Sequence, residues 1–172
     1  MERDLKIINN FLDKDFFEKL KTLIIKSEFP WFKRQTMVAG TTNNLGYFTH
    51  SFYNNHKVNS ERYYEFILPI LNKLNSKATI TARANLAPSV FYKEKSCAFH
   101  TDQKFNCKIA ILYLNTCDGG TEFKIKDKIY FVKSEENKIV IFNSDIEHRG
   151  TKSNDSDFRY LINFSSTLES ST

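Results

Sequence analysis

The spacing of hydrophobic positions changes near Thr79 and divides this chain of 172 residues into two parts. Before Thr79, apolar side chains recur every three or four positions in two segments, which places them on one face of a helix. The spacing therefore predicts helices within FLDKDFFEKLKTLIIKSE (11–28) and SERYYEFILPILNKLNS (60–76). Pro69 predicts a kink or a break in the second helix, because proline lacks the amide hydrogen that a helix interior needs.

From Thr79 onward, the hydrophobic positions follow a period of two, the pattern of strands with one buried face. Turn-forming sequences such as CDGG and SNDSD separate the runs. Six strands are predicted, over residues 79–86, 108–115, 121–125, 128–133, 138–143 and 158–165. This order predicts an α+β fold, with a helical part at about 1–76 and a β sandwich or barrel of the jelly-roll kind at about 79–166. Since no linker or repeat interrupts the chain, we expect a single domain over 1–172.

The composition is that of a globular protein, with 41% hydrophobic and 26% charged residues. The net charge of +5 comes from scattered Lys and Arg, so nucleic-acid binding is not excluded but is not indicated. The three cysteines form no CxxC pair, which argues against a thiolate zinc site. The N-terminus is too charged for a signal peptide, and no apolar run is long enough to span a bilayer. We therefore expect a cytoplasmic protein with no membrane partner.

A histidine and an aspartate stand two residues apart in AFHTDQ, just before the strand predicted at 108–115. At a strand end, His100 and Asp102 would share one face and could bind one metal ion together. His148, directly after the strand predicted at 138–143, is a candidate third ligand. Two imidazoles and one carboxylate on one face of an octahedron leave three positions open, as in non-haem Fe(II) oxygenases. A bidentate keto acid and dioxygen would need three positions.

Arg159 opens the last predicted strand, where its neighbours on the same face are Leu161 and Asn163. A guanidinium that points into a largely apolar barrel needs an anion, because a buried unpaired charge is costly. Its planar fork fits a carboxylate through two parallel hydrogen bonds. The remote carboxylate of 2-oxoglutarate would be such a partner.

The ordered set His100, Asp102, His148 and Arg159 resembles the HxD…H…R signature of the Fe(II)/2-oxoglutarate-dependent oxygenases. The stretches FPWF, RANL, YLN…GGTEF, IFNSDIEHRGT and RYLINF are similar to small prolyl-hydroxylase-like members commonly encoded by bacteriophages. The resemblance covers nearly the whole chain. It implies a double-stranded β-helix (a cupin-like jelly roll) behind N-terminal buttressing helices, in the cytoplasm of a bacterium or a virus-infected host.

The resemblance also implies site roles and cofactors. His100, Asp102 and His148 would be the catalytic metal ligands for Fe(II), and Arg159 would bind the 2-oxoglutarate co-substrate, with O2 as the second co-substrate. Related enzymes often use a nearby tyrosine or asparagine for the co-substrate, and the candidates here are Tyr113 and Asn85, with Tyr92 in reserve. Related sequences often carry a hydroxyl residue where this chain has Leu161, so the second co-substrate contact must come from elsewhere. The implied reaction hydroxylates a C–H bond and releases succinate and CO2.

Two further arginines lie close to these motifs. Arg83 alternates with Asn85 in RANL, and Arg149 adjoins His148; each could bind substrate or form a structural ion pair. Two other classes of protein stay open: a cupin-type jelly-roll metalloprotein of other chemistry, and a non-catalytic binding module on the same fold. The substrate, a small molecule, a protein side chain or a modified nucleotide, is not identified by the sequence.

Overall fold

The computed structural model describes residues 5–26, 28–34, 46–91 and 97–168, and most of them belong to antiparallel strands. In chain order the elements are β1 (Leu5–Ile8), α1 (Lys14–Ile25), β2 (Phe32–Arg34), β3 (Tyr47–Asn54), β4 (Lys57–Val58), a π-helical turn (Tyr63–Ile67), α2 (Leu68–Lys73), β5 (Ser76–Pro88), a 3-10 turn (Ser89–Phe91), β6 (Lys108–Tyr113), β7 (Gly120–Ile125), β8 (Lys128–Lys133), β9 (Ile139–Asn143), β10 (Glu147–Gly150) and β11 (Phe158–Leu168). None of the helices in these ranges is long and apolar enough to cross a membrane.

The strands form two sheets that enclose an apolar interior. The larger sheet has the order β1-β9-β6-β11-β5-β3-β2, with β4 paired to β3, and the smaller has the order β10-β7-β8. Side chains of both sheets meet in one buried cluster, where the rings of Phe123 (β7) and Phe142 (β9) lie 4.9 Å apart at a steep angle. Two antiparallel sheets packed in this way form a jelly roll, as the alternating pattern after Thr79 predicts.

The helices pack on the outer face of the larger sheet. Asp13 caps α1, because its Oδ1 accepts hydrogen bonds from the backbone N–H groups of Asp15 and Phe16 at 3.0 and 3.3 Å. Leu20 of α1 is buried in one cluster with residues of α2 and with Ile162 of β11. The second predicted helix changes from π-helical to α-helical at Leu68, next to Pro69, which supplies no amide hydrogen for the ladder.

The part before residue 76, predicted to be helical, contains α1 and α2 and, within its described residues, four strands as well. β3 pairs with β5 and continues the larger sheet toward β2, whereas β1 pairs with β9 at the opposite edge. Strand β10, which is short and polar, was also not predicted. β1, β3 and β10 are defined by non-local partners more than by their own alternation.

His50 of β3 predicts a loss of stability in acid. The residue is 7% exposed between the rings of Phe29 and Phe52, and its Nδ1 lies 3.0 Å from the Pro30 carbonyl oxygen. Burial lowers the pKa of His50, so below about pH 6.5 the unfolded chain binds a proton that the folded chain resists. We expect the melting temperature to fall as the pH drops below that value, and to fall less in His50→Phe. Equal pH dependence of the two proteins in thermal melts would contradict this explanation.

Candidate metal centre

His100 and His148 lie side by side because their backbones form an isolated antiparallel bridge. The amide of His100 donates to the His148 carbonyl at 3.0 Å, and the amide of His148 donates back at 2.9 Å. The His148 ring packs between Phe123 and Phe142 and is therefore fixed in orientation. The bridge joins the segment before β6 to β10, so two histidines that are distant in sequence share one face.

Asp102 completes a compact group of three potential ligands. Its Oδ1 lies 3.7 Å from His100 Nε2, and its Oδ2 lies 3.6 Å from His148 Nε2. All the potential ligand atoms of the group lie within 4.8 Å of one another. Such an N2O set on one side of a cavity suits a borderline divalent metal ion.

Each imidazole is oriented so that Nε2 can act as a ligand. Nδ1 of His100 faces the Ala98 carbonyl oxygen at 3.2 Å, and Nδ1 of His148 faces the Ile146 carbonyl oxygen at 3.2 Å. A carbonyl can only accept a hydrogen bond, so the neutral ring carries its proton on Nδ1 and its lone pair on Nε2. This backbone support is typical of histidines that bind metals.

The protonation states also suit a metal centre. Burial, together with the neighbouring His148, lowers the pKa of His100, which keeps its imidazole neutral near pH 7. Burial alone would raise the pKa of Asp102, but the neighbouring His148, the charge of Arg83 and the Asn163 amide hold it well below its usual value. Neutral imidazoles and an ionised carboxylate are the forms that bind metal ions.

Asn163 holds the aspartate in place. Its Nδ2 on β11 donates to Asp102 Oδ2 at 2.8 Å, and its side chain is buried. The sequence places Asn163 on the same strand face as Arg159, but this alternation does not show that Asn163 contacts the metal-ligand set. The contact depends on where the loop after His100 folds back, which a single sequence does not specify.

Removing the Asn163 amide should weaken metal binding without removing a ligand. We expect Asn163→Ala to lower the affinity for a divalent metal about 10- to 100-fold, the usual effect of losing a hydrogen bond to a ligand. Calorimetric titration with Mn(II) or Fe(II) measures this change. Ser165→Ala is the matched control, because Ser165 lies two residues further on the same face and contacts Thr81 and Gln103. Unchanged affinity in Asn163→Ala would contradict the assigned role.

The three side chains open into a cavity of about 90 Å³ between the two sheets. Arg159 of β11, which is 4% exposed, lines the same cavity. It lies four residues before Asn163 on one strand face, so the two Cα atoms are separated by roughly 13 Å. The other described lining residues are Tyr47, Arg83, Asn85, Ala87, Cys97, Ile111, Thr121, Gly150 and Leu161. The metal-binding group and the arginine thus occupy separate parts of one cavity.

Asn85 and Tyr113, the residues predicted to help Arg159 bind the co-substrate, differ in their position relative to the cavity. Asn85 of β5 is paired with Leu161 and lines the cavity, and its buried Oδ1 has no hydrogen-bond partner in the described part of the chain. Tyr113 is fully buried behind the wall and donates from its hydroxyl to Thr121 Oγ1 at 2.8 Å. Burial raises the pKa of Tyr113 to about 12, so the phenol stays neutral. Thr121, which no sequence motif singled out, lines the cavity. Tyr92 lies outside the described residues.

Arg83 and Arg149 have different surroundings. Arg83 of β5 is paired with Asn163 and lines the cavity. Arg149 instead donates from Nε to Glu122 Oε2 at 2.7 Å and lies 4.2 Å from the centre of the Phe99 ring. For Arg149, this geometry favours a structural ion pair with Glu122. A contact between Arg149 and the substrate stays a prediction.

No protein-family model matches the chain, and neither does any curated protein sequence. Solved structures do match its fold. A prolyl hydroxylase from Trichoplax adhaerens, in complex with a hypoxia inducible factor peptide fragment, is 15% identical with a TM-score of 0.69 over 95% of this chain and 83% of its own. A 2OG-Fe(II) oxygenase family oxidoreductase from Burkholderia pseudomallei is 11% identical with a TM-score of 0.72, over 96% and 86%. HygX from Streptomyces hygroscopicus, with nickel and 2-oxoglutarate bound, is 9% identical with a TM-score of 0.64, over 96% and 83%.

The chain therefore has the jelly-roll fold of the 2-oxoglutarate and iron(II) oxygenases, and the predicted fold class is confirmed at this level. Within that fold it carries a His–Asp–His group whose geometry can hold a metal ion.

Proposed function

We propose that this protein is a non-haem Fe(II)- and 2-oxoglutarate-dependent dioxygenase. It hydroxylates a C–H bond of a small molecule or a protein side chain and releases succinate and CO2. The observation that carries the proposal is the presence of the His100–Asp102–His148 group and Arg159 in one cavity of an oxygenase fold. We further propose that residues 1–172 form one such domain and act in the cytoplasm of a bacterium or a virus-infected host.

His100, Asp102 and His148 would hold the iron. When bound, iron, 2-oxoglutarate and O2 supply the oxidising chemistry, which protein side chains cannot provide alone. Asn163 fixes the carboxylate, and the Ala98 and Ile146 carbonyls fix the two imidazoles. Precise orientation matters because small displacements of reacting groups cost large factors in rate.

Arg159 binds the remote carboxylate of 2-oxoglutarate at the other end of the cavity. The guanidinium is buried, so a charge-assisted pair with a carboxylate is little weakened by water. Asn85 and the Thr121 hydroxyl supply neutral hydrogen-bonding groups to the same molecule, and Tyr113 acts by orienting Thr121. This arrangement provides the second co-substrate contact that Leu161 cannot supply.

Apolar walls separate the reacting groups from bulk water. Leu161, between Arg159 and Asn163 on β11, and Ile111, paired with Asn163, line the cavity, and both are nearly inaccessible to solvent. A dry cavity strengthens the electrostatic interactions within it and protects reactive species from water. The chain's own contribution is therefore to bind, orient and exclude water.

The direct test is an assay of succinate release by purified protein with Fe(II), ascorbate and 2-oxoglutarate in air. An active oxygenase releases succinate slowly without substrate and faster when a lysate fraction containing the substrate is added. Asp102→Ala is the matched control, since it removes one ligand and keeps the cavity. A cupin-type enzyme of other chemistry would bind metal without consuming 2-oxoglutarate. A binding module would do neither, and either result would contradict the proposal.

A further inference from the structure

Arg83 is a second guanidinium in the cavity, and it lies near the metal-binding end. Arg83 on β5 is paired with Asn163 on β11, and the side chain of Asn163 contacts Asp102. The charge of Arg83 is also one of the causes that lower the pKa of Asp102. Its Nε is buried and has no hydrogen-bond partner in the described part of the chain. A buried donor of a charged group is costly unless a ligand satisfies it.

Arg83 and Arg159 lie at different positions along the two strands that face the cavity. On β5, Ala87 is paired with Arg159. Arg83 lies four residues before Ala87 on the same face of β5, so the Cα atoms of Arg83 and Ala87 are roughly 13 Å apart. Arg159 therefore lies at the end of the cavity that is remote from Asp102, whereas Arg83 lies at the end beside Asp102. A five-carbon diacid that binds the metal and Arg159 leaves the Arg83 fork available.

The shape of the guanidinium indicates what Arg83 binds. Its planar fork fits a carboxylate through two parallel hydrogen bonds. In a cavity of low dielectric constant, such a charge-assisted pair is little weakened by water.

We propose that Arg83 anchors the substrate, and that the substrate carries a single carboxylate close to the carbon that is hydroxylated. This inference rests on the proposed function, and it narrows the substrate class to carboxylic acids. A phosphate dianion fits less well, since it would overcompensate the charge beside the Asp102 carboxylate. The carboxylate belongs either to a small acid or to an acidic side chain of a protein.

The test uses the protein loaded with Zn(II) and 2-oxoglutarate, which cannot turn over, and propionate as the probe. Saturation-transfer NMR reports propionate binding, and propionamide serves as the uncharged control probe. We expect propionate, but not propionamide, to bind the wild type and Arg62→Met, the same substitution at an exposed site. Arg83→Met should weaken propionate binding at least about 30-fold, and Arg83→Lys should retain part of it. Binding of a capped peptide that contains aspartate, but not of the same peptide with asparagine, then indicates that the substrate carboxylate is a protein side chain. Binding of neither peptide indicates a small acid.

Several outcomes would overturn the inference. These are the absence of propionate binding to the wild type, equal binding to Arg83→Met, loss of binding in Arg149→Met instead, or binding of inorganic phosphate in place of propionate. Loss of 2-oxoglutarate affinity in Arg83→Met would assign Arg83 to the co-substrate. Retained 2-oxoglutarate binding in Arg83→Met also shows that the variant is folded. If the wild type does not bind 2-oxoglutarate at all, the proposed function fails, and propionate titration of the Zn(II) protein alone still tests Arg83.

Discussion

His148→Ala should abolish Fe(II) binding at micromolar metal concentrations. The substitution removes one of three ligands, and since losing even a hydrogen bond to a ligand costs about 10- to 100-fold in affinity, we expect a loss of at least about 100-fold. The bridge to His100 is made by backbone atoms, so alanine keeps it and the local fold persists. Equilibrium dialysis measures the affinity, and succinate release should disappear with the metal.

His56→Ala is the matched control for this experiment. His56 is an exposed histidine in the turn between β3 and β4, far in sequence from the ligand group. It should bind Fe(II) as the wild type does, and circular dichroism should show both variants folded. Full iron occupancy in a folded His148→Ala protein would mean that the ligand assignment is wrong.

Apart from β10, the strands after Thr79 could be predicted because each one has a buried face and an alternating pattern. The run around Ile109, Ile111 and Tyr113 turns its apolar side chains into the cluster between the sheets, and β6 forms where predicted. β3 and β1 could not be predicted in this way, since their place in the sheet depends on partners more than 30 residues away along the chain. Pairing partners are a property of the whole fold, which local periodicity does not contain.

The candidate metal-binding group was predictable for a different reason. His100 and Asp102 lie two residues apart, and His148 and Arg159 follow in an order whose chemistry fits one reaction class. The contact that supports Asp102 was not predictable, because the Asn163 amide joins a segment 61 residues away along the chain. The sequence therefore indicated the chemistry of the site, whereas the structure was needed for the residues that position it.

Arg159→Met should remove 2-oxoglutarate binding and leave metal binding intact. Methionine keeps most of the apolar stem of the arginine but lacks the charge and the planar fork. Truncating one partner of a buried, hydrogen-bonded charge pair costs about 2–5 kcal/mol, which corresponds to roughly 30-fold or more in affinity. Calorimetric titration of the Zn(II)-loaded protein with 2-oxoglutarate measures this loss directly.

Two comparisons make the Arg159 experiment specific. Arg159→Lys should restore only part of the affinity, because an ammonium is a point charge and cannot form both parallel hydrogen bonds. Metal affinity should be equal in Arg159→Met and the wild type, since Arg159 lies four residues from Asn163 along β11 and its role is separate from the ligand group. Turnover of 2-oxoglutarate by Arg159→Met with an unchanged half-saturation concentration would contradict the co-substrate assignment.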